Sequence, residues 1–303
     1  MRDKQERDKQ ARIEKLLSMA WNTNSTARTL AIANQILEID PENPEALILK
    51  ADNMENHDER AEILLHAASS LNNPGSYNPD DRDLLAFVIN QRLAYAFYAM
   101  NKYDKSFEYC EAALKFANEN QDDPDTENNL REMKDLYYRI LIERHEWQKI
   151  LTETMRDEEH SLAWAYSRLI AAWMIAPGKA QSVCANMFWD ALMFGPDVPF
   201  YVLGYLEEPD DDCGPVEQEE FDFALMYYDA FSISDDFFNW FSRGAILFGL
   251  LSNRFDAKER EYMLDVIDTL GGYDEYEKMS KVLVEADDAA IIEALAANKC
   301  LAN

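Results

Sequence analysis

The residue types able to ligate a metal or act as nucleophiles are few and widely spaced. Four cysteines, Cys110, Cys184, Cys213 and Cys300, include no C-x-x-C pair, and four histidines, His57, His66, His145 and His160, form no H-E-x-x-H. Disulfide frameworks, zinc fingers and thioredoxin-like centres therefore lack the spacing that their geometry requires. The stretch EEPDDDCGPVEQEE, Glu207 to Glu220, is rich in carboxylates, but no register of it supplies an EF-hand's acids, central Gly and closing Glu. Glu158-Glu159-His160 fails on spacing as well. No G-x-S-x-G, P-loop, G-x-G-x-x-G or kinase-type set is present. No catalytic residue, metal site or cofactor is expected. Because a triad of distant residues leaves no local motif, an enzyme with a pocket between two regions of the chain stands as an alternative.

The pattern that does suggest recognition is electrostatic. From Ala180 to Ser242 the chain has 14 Asp+Glu and fifteen aromatics, with no Lys or Arg. Carboxylates steer a cation and aromatic faces attract it, so Tyr201, Tyr205, Glu207, Glu208, Asp210 and Asp211 form a candidate docking face for a basic partner. The competing reading places the aromatics in a core and the acids on a solvated face. Over the whole chain, 58 Asp+Glu against 29 Lys+Arg leave a net charge of −29. That balance excludes surfaces built to neutralise nucleic-acid phosphates or anionic lipids, and it makes an acidic mimic of nucleic acid a further alternative.

These residues need elements to position them. With 48% hydrophobic residues the chain can bury a core, and 9 Gly and 10 Pro are too few for an all-β fold's turns. In RLAYAFYAMNKYDKSFEYCEAALKFA, Arg92 to Ala117, residues Leu93, Ala94 and Phe97 share one helical face, and Phe107, Cys110, Ala113 and Leu114 share another. Asn101 to Asp104 makes a polar turn between them. In AIANQILEIDPENPEALILKAD, Ala31 to Asp52, Pro41 ends one helix, and Asn43 caps the next with Pro44 in its first turn. Asn72 to Asp81 and Gln121 to Asn128 are polar and are expected to be loops.

This pattern resembles the tetratricopeptide-repeat family. Ala94, Phe97, Tyr103, Ser106, Cys110 and Ala113 stand at its small and large positions, and Asp40-Pro41 with Pro44-Glu45-Ala46 matches its corner between repeats. Weaker units at Ile13 to Ile36, Leu136 to Ile150 and Ala163 to Phe194 bring the number to about five. The resemblance implies an all-α solenoid of helix-turn-helix repeats over 1–198. Residues 199–303 are then expected as an atypical helical cap, with helices over Arg254 to Leu270, Tyr273 to Glu285 and Asp287 to Ala297, and with Gly271-Gly272 as a helix stop. The string DALMFGPDVPFYVLGYLEEP, Asp190 to Pro209, is similar to a final repeat of the suppression-of-tumorigenicity family.

Such a solenoid implies a concave wall of first helices, which places Gln91, Tyr95, Tyr98, Asp135, Arg139 and Trp173 as candidate partner contacts. The cationic clamp that some relatives use for a C-terminal carboxylate is missing, since Glu45, Ile48, Asp52, Val88, Gln91 and Tyr95 hold those positions. The sequence therefore predicts a non-enzymatic protein-interaction scaffold for a protein or peptide partner, basic if the acidic face is used. Without an apolar leader or a span of membrane length, a cytoplasmic location and no membrane contact are expected.

Overall fold

The computed structural model describes residues 2–73, 77–120, 124–157, 160–177, 181–210 and 212–302. Among them it is all-α, with sixteen α-helices, one 3-10 turn and no strand. No helix of the described residues is long and apolar enough to cross a membrane. Contacts divide the chain into two compact units, Met1–Ile140 and Leu141–Asn303.

The first unit contains α1 (Arg2–Trp21), α2 (Thr26–Ile39), α3 (Pro44–Asp52), α4 (His57–Ser70), a 3-10 turn (Pro79–Asp81), α5 (Arg82–Ala99), α6 (Tyr103–Glu119) and most of α7 (Pro124–Glu143). Successive helices pack on one another. Short α3 is apolar on several sides because it serves two cores. Its Ala46 and Leu49 join Ile13, Ala33 and Ile36, while its Leu47, Ile48 and Ala51 join Leu64, Ala67, Leu93 and Phe97. Helices α5 and α6 approach closely through small residues: Ser106 is fully buried and its hydroxyl donates to the Ala94 carbonyl at 2.8 Å. Residues 124–128 were expected in a loop but open α7, because a proline is tolerated in a helix's first turn, where its missing N–H has no helical partner. Residues 121–123 lie outside the described residues.

The second unit holds the end of α7 and α8 (Trp147–Thr154), α9 (Leu162–Ile175), α10 (Gln181–Phe194), α11 (Val198–Val202), α12 (Pro215–Phe231), α13 (Asp235–Leu251), α14 (Ala257–Thr269), α15 (Tyr273–Ser280) and α16 (Asp288–Ala297). Helices α9 and α13 are buried along most of their length. Phe237 and Phe241 of α13 pack with Phe188, Trp189, Phe200, Tyr227 and Phe231 from the surrounding helices, all sealed from solvent. Much of the aromatic content between Ala180 and Ser242 is therefore core. The expected helix to Glu285 ends at Ser280 instead. Val282 and Val284, β-branched and each 74% exposed, have no core contact to offset their weak helix preference.

One device ends many of these helices. Asn101, His145, Gly204, Asn253, Gly271 and Lys299 have positive φ, and the next residue's N–H donates to the carbonyl five positions back, as from Lys102 to Phe97 and Arg254 to Gly249. This pairing satisfies carbonyls that the helix leaves open and turns the chain sharply, with Asn and Gly tolerating the left-handed backbone best. Starts are capped by side chains, including Asn43 for α3 and Asp287 for α16. The Asn43 Oδ1 accepts from the Ala46 N–H at 2.9 Å, and Asn43 is buried. Asn43→Ala is expected to cost about 1 kcal/mol, read as a lower urea midpoint with an unchanged slope.

Candidate functional site

The residues expected on a concave wall occupy two different environments. In the first unit, Gln91 and Arg139 are buried, and Tyr95, Tyr98 and Asp135 are half-buried. Gln91 Nε2 donates to Asn129 at 3.2 Å, and the Arg92 Nη1 donates to Gln91 Oε1 at 3.0 Å. The Arg139 guanidinium lies 5.9 Å from the Tyr98 ring centre. Burial, followed by the charges of Glu132 and Asp135, pushes the Tyr95 hydroxyl well above its ordinary pKa. These five side chains are thus engaged mainly between α5 and α7.

In the second unit, Trp173 is buried against Phe237 and Trp240. It helps to line a cavity of about 330 Å3 with Asp236, Asn239 and Arg243. Its indole N–H has no acceptor among the described residues.

The acidic aromatic candidates are partly drawn together. A cavity of about 380 Å3 is lined by Asp197, Phe200, Tyr201, Tyr205, Leu206, Glu207, Glu217, Arg254 and Phe255. Tyr201, Tyr205 and Glu207 were expected from sequence. Glu208 and Asp210 are exposed outside this lining, and Asp211 lies outside the described residues. Asp197, Glu217, Arg254 and Phe255 escaped the sequence reading. One signal could have found Arg254: a long stretch without cations must borrow one from beyond its ends.

Local structure explains the shape. The Gly204 turn folds the chain back after α11, with the Tyr205 N–H donating to the Phe200 carbonyl at 2.8 Å. Tyr205 and Phe200 both meet the Phe255 ring edge to face, at centroid distances of 5.7 and 5.8 Å. Gly249 of α13 makes that packing feasible, since a Cβ there would stand 2.6 Å from Phe255 and 2.7 Å from Phe200.

The charges are arranged around one guanidinium. Arg254 Nε donates to Asp197 at 2.8 Å, and its Nη1 and Nη2 grip both oxygens of Asp288 at 3.0 and 2.8 Å. The same group lies 4.6 Å from the Phe248 ring centre and 5.4 Å from that of Phe200. Burial works against its charge, yet the bonds to Asp288 and Asp197 raise its pKa above the ordinary value. Beneath the wall, Glu220 of α12 is buried, and its Oε2 accepts from the Asp197 and Val198 N–H groups at 2.7 and 3.1 Å. Burial pushes its pKa up to about 7, with the Asp197 charge adding to the effect and the two N–H bonds opposing it. Burial and the carboxylates of Glu217, Asp197 and Glu220 likewise push Tyr201 up to about 12. The cavity thus combines aromatic faces with three carboxylates, only one of which meets the internal arginine. Such a site attracts cations.

No protein-family model, curated protein or solved structure matches this chain. Among the described residues no three of His, Cys, Asp and Glu gather as a metal-holding group. Three of the histidines meet local neighbours: His66 pairs with Glu42 at 3.1 Å, His145 stacks on Trp147 and His160 stacks on Trp164.

Glu220 gives the site a pH signature. A raised acid keeps in the folded state a proton that the unfolded chain releases. Stability therefore falls as pH rises between 4.5 and about 7, the ordinary and shifted values. The shift bounds this loss at about 3 kcal/mol. Glu220→Gln retains an acceptor for both N–H groups and should remove that part of the slope. Urea unfolding over a pH series should find the variant at least as stable as the parent at about pH 8, the two converging below the window. A variant less stable at the higher pH, with the slope intact, contradicts this reading.

Proposed function

We propose that the chain is a non-enzymatic interaction module that receives a Lys or Arg side chain of a partner protein or peptide in the acidic aromatic cavity. The observation that carries this reading is the lining itself: Tyr201, Tyr205 and Phe255 beside Glu207 and Glu217, in a cavity of about 380 Å3. Exposed carboxylates raise the encounter rate with a basic segment, and ring faces hold a cation after its first water is lost. The internal Arg254, stacked on Phe200 and Phe248, supports the preference because a cation already rests on rings of this type. The net charge of −29 adds long-range attraction for the same partner.

The helix pairs of residues 1–198 are read as tetratricopeptide-like repeats, and residues 199–303 as a helical cap. The small-residue contact of Ser106 with Ala94, and the repeated left-handed turns at Asn101 and His145, support that reading.

Fluorescence anisotropy with a labelled Lys/Arg-rich peptide tests the function. Tyr205→Ala should weaken binding about fivefold at any salt concentration, the scale of one cation–π contact. Glu207→Gln with Glu217→Gln should weaken it mainly at low ionic strength, where charges are least screened. Equal binding of an acidic peptide of the same length, or indifference to both variants, contradicts the proposal.

A further inference from the structure

Helix α12 is anchored by one side only. Phe223, Tyr227 and Phe231 are buried in the core of the second unit. On the adjoining flank Glu217, Phe221, Leu225 and Tyr228 follow at intervals of four, four and three residues, which sets them in one stripe about 16 Å long. Glu217 already lines the acidic aromatic cavity. Phe221 continues from it, meeting Tyr201 of the cavity edge to face at a centroid distance of 5.5 Å. Leu225 and Tyr228, 68% and 55% exposed, then carry the stripe away from the cavity into solvent. A row of apolar side chains that leads out of a cavity differs from the single exposed residues common on any surface.

The stripe is bordered by acids. Asp222 and Asp229, both exposed, stand three residues before and four after Leu225 and are its neighbours along the outer edge. The whole of α12 carries five carboxylates and no Lys or Arg, so nothing on this helix repels a cation. That charge selects the occupant. A second copy of the chain brings a net charge of −29 to a face that is itself acidic. An extended peptide gains little, because the described residues contain no strand whose edge could pair with its main chain. A helix arrives with its main chain already satisfied and needs only side-chain contacts, and basic residues flanking its apolar face meet Asp222 and Asp229.

We propose that the flank of α12 from Glu217 to Tyr228 docks a basic amphipathic helix of a partner protein. A Lys or Arg of that helix sits in the acidic aromatic cavity, and its apolar side chains lie along Phe221, Leu225 and Tyr228. Docking of this kind rests on the cavity's affinity for a cation and extends it from one side chain to a segment of about three helical turns.

Two fluorescein-labelled peptides of about fifteen residues and identical composition test this on the full chain. One places leucines four, eight and eleven positions from an anchoring lysine with further lysines on the flanks, and the other scrambles that order, which keeps the charge and removes the apolar face. The patterned peptide should bind at least about tenfold more tightly, the scale of burying two exposed apolar side chains. Leu225→Gln with Tyr228→Gln should erase that gain and leave the chemical-shift titration with a short capped single-lysine peptide unchanged. Saturable binding of the short peptide with no gain from the pattern, or a gain indifferent to the double variant, overturns the docking face and leaves the cavity reading standing. No binding of the short peptide, with patterned binding that still depends on Leu225 and Tyr228, overturns the cavity reading and supports the docking face. Should the double variant melt early, the comparison of the two peptides on the unaltered chain decides.

Discussion

Arg254 is the single side chain on which the geometry of the second unit's cavity depends. It ties Asp197, before α11, to Asp288, at the start of α16, while its guanidinium rests on Phe200 and Phe248. It is positioned by its own backbone, whose N–H donates to Gly249 and closes the left-handed turn at Asn253. In a chain with a twofold excess of acids, and with none of its cations between Ala180 and Ser242, such a tie is not interchangeable. The arginine side chain is only 18% exposed while its two carboxylates are half in water, so losing Arg254 removes the one cation that links Asp197 to Asp288 and the packing of its guanidinium on two rings.

The arrangement also explains how so many carboxylates coexist near one wall. Asp197 is matched by Arg254, and Asp288 is matched by the same group from the other side. Glu220 has no such cation in hydrogen-bond contact; instead it accepts two N–H groups at the start of α11 and keeps a proton over part of the physiological range. Glu207 and Glu217 remain in water at the cavity mouth, where their charge costs little and is available to a ligand. Aromatic burial supplies the stiffness of this frame, with Phe200, Phe248 and Phe255 packed around the close approach that Gly249 permits.

Much of the fold was legible because helices announce themselves through periodicity, caps and stops. Asn43 with Pro44, the Asn101 turn and Gly271-Gly272 fall where their chemistry requires. The helix expected over Tyr273 to Glu285 stops at Ser280 because Val282 and Val284 have weak helix preference and no burial to offset it, and the loop expected from the polarity of 124–128 is helical because polarity does not oppose a helix that Pro124 can open. The site was legible only in part. Tyr201, Tyr205 and Glu207 lie within one short stretch whose composition marks them, but Arg254 and Phe255 join them from beyond Ser242 through tertiary packing that no local pattern encodes. Gln91 and Arg139 illustrate the converse: helical register puts polar side chains on a face without telling whether that face meets water or another helix.

The most direct measurement is an amide chemical-shift map of the full chain during titration with a short capped peptide carrying a single lysine. A cation site in the acidic aromatic cavity predicts saturable shifts at Tyr201, Tyr205, Glu207, Glu217 and Phe255, with Gln91, Tyr95 and Tyr98 unmoved. Shifts centred on α5 and α7, or no saturable shifts around the cavity, would contradict the account.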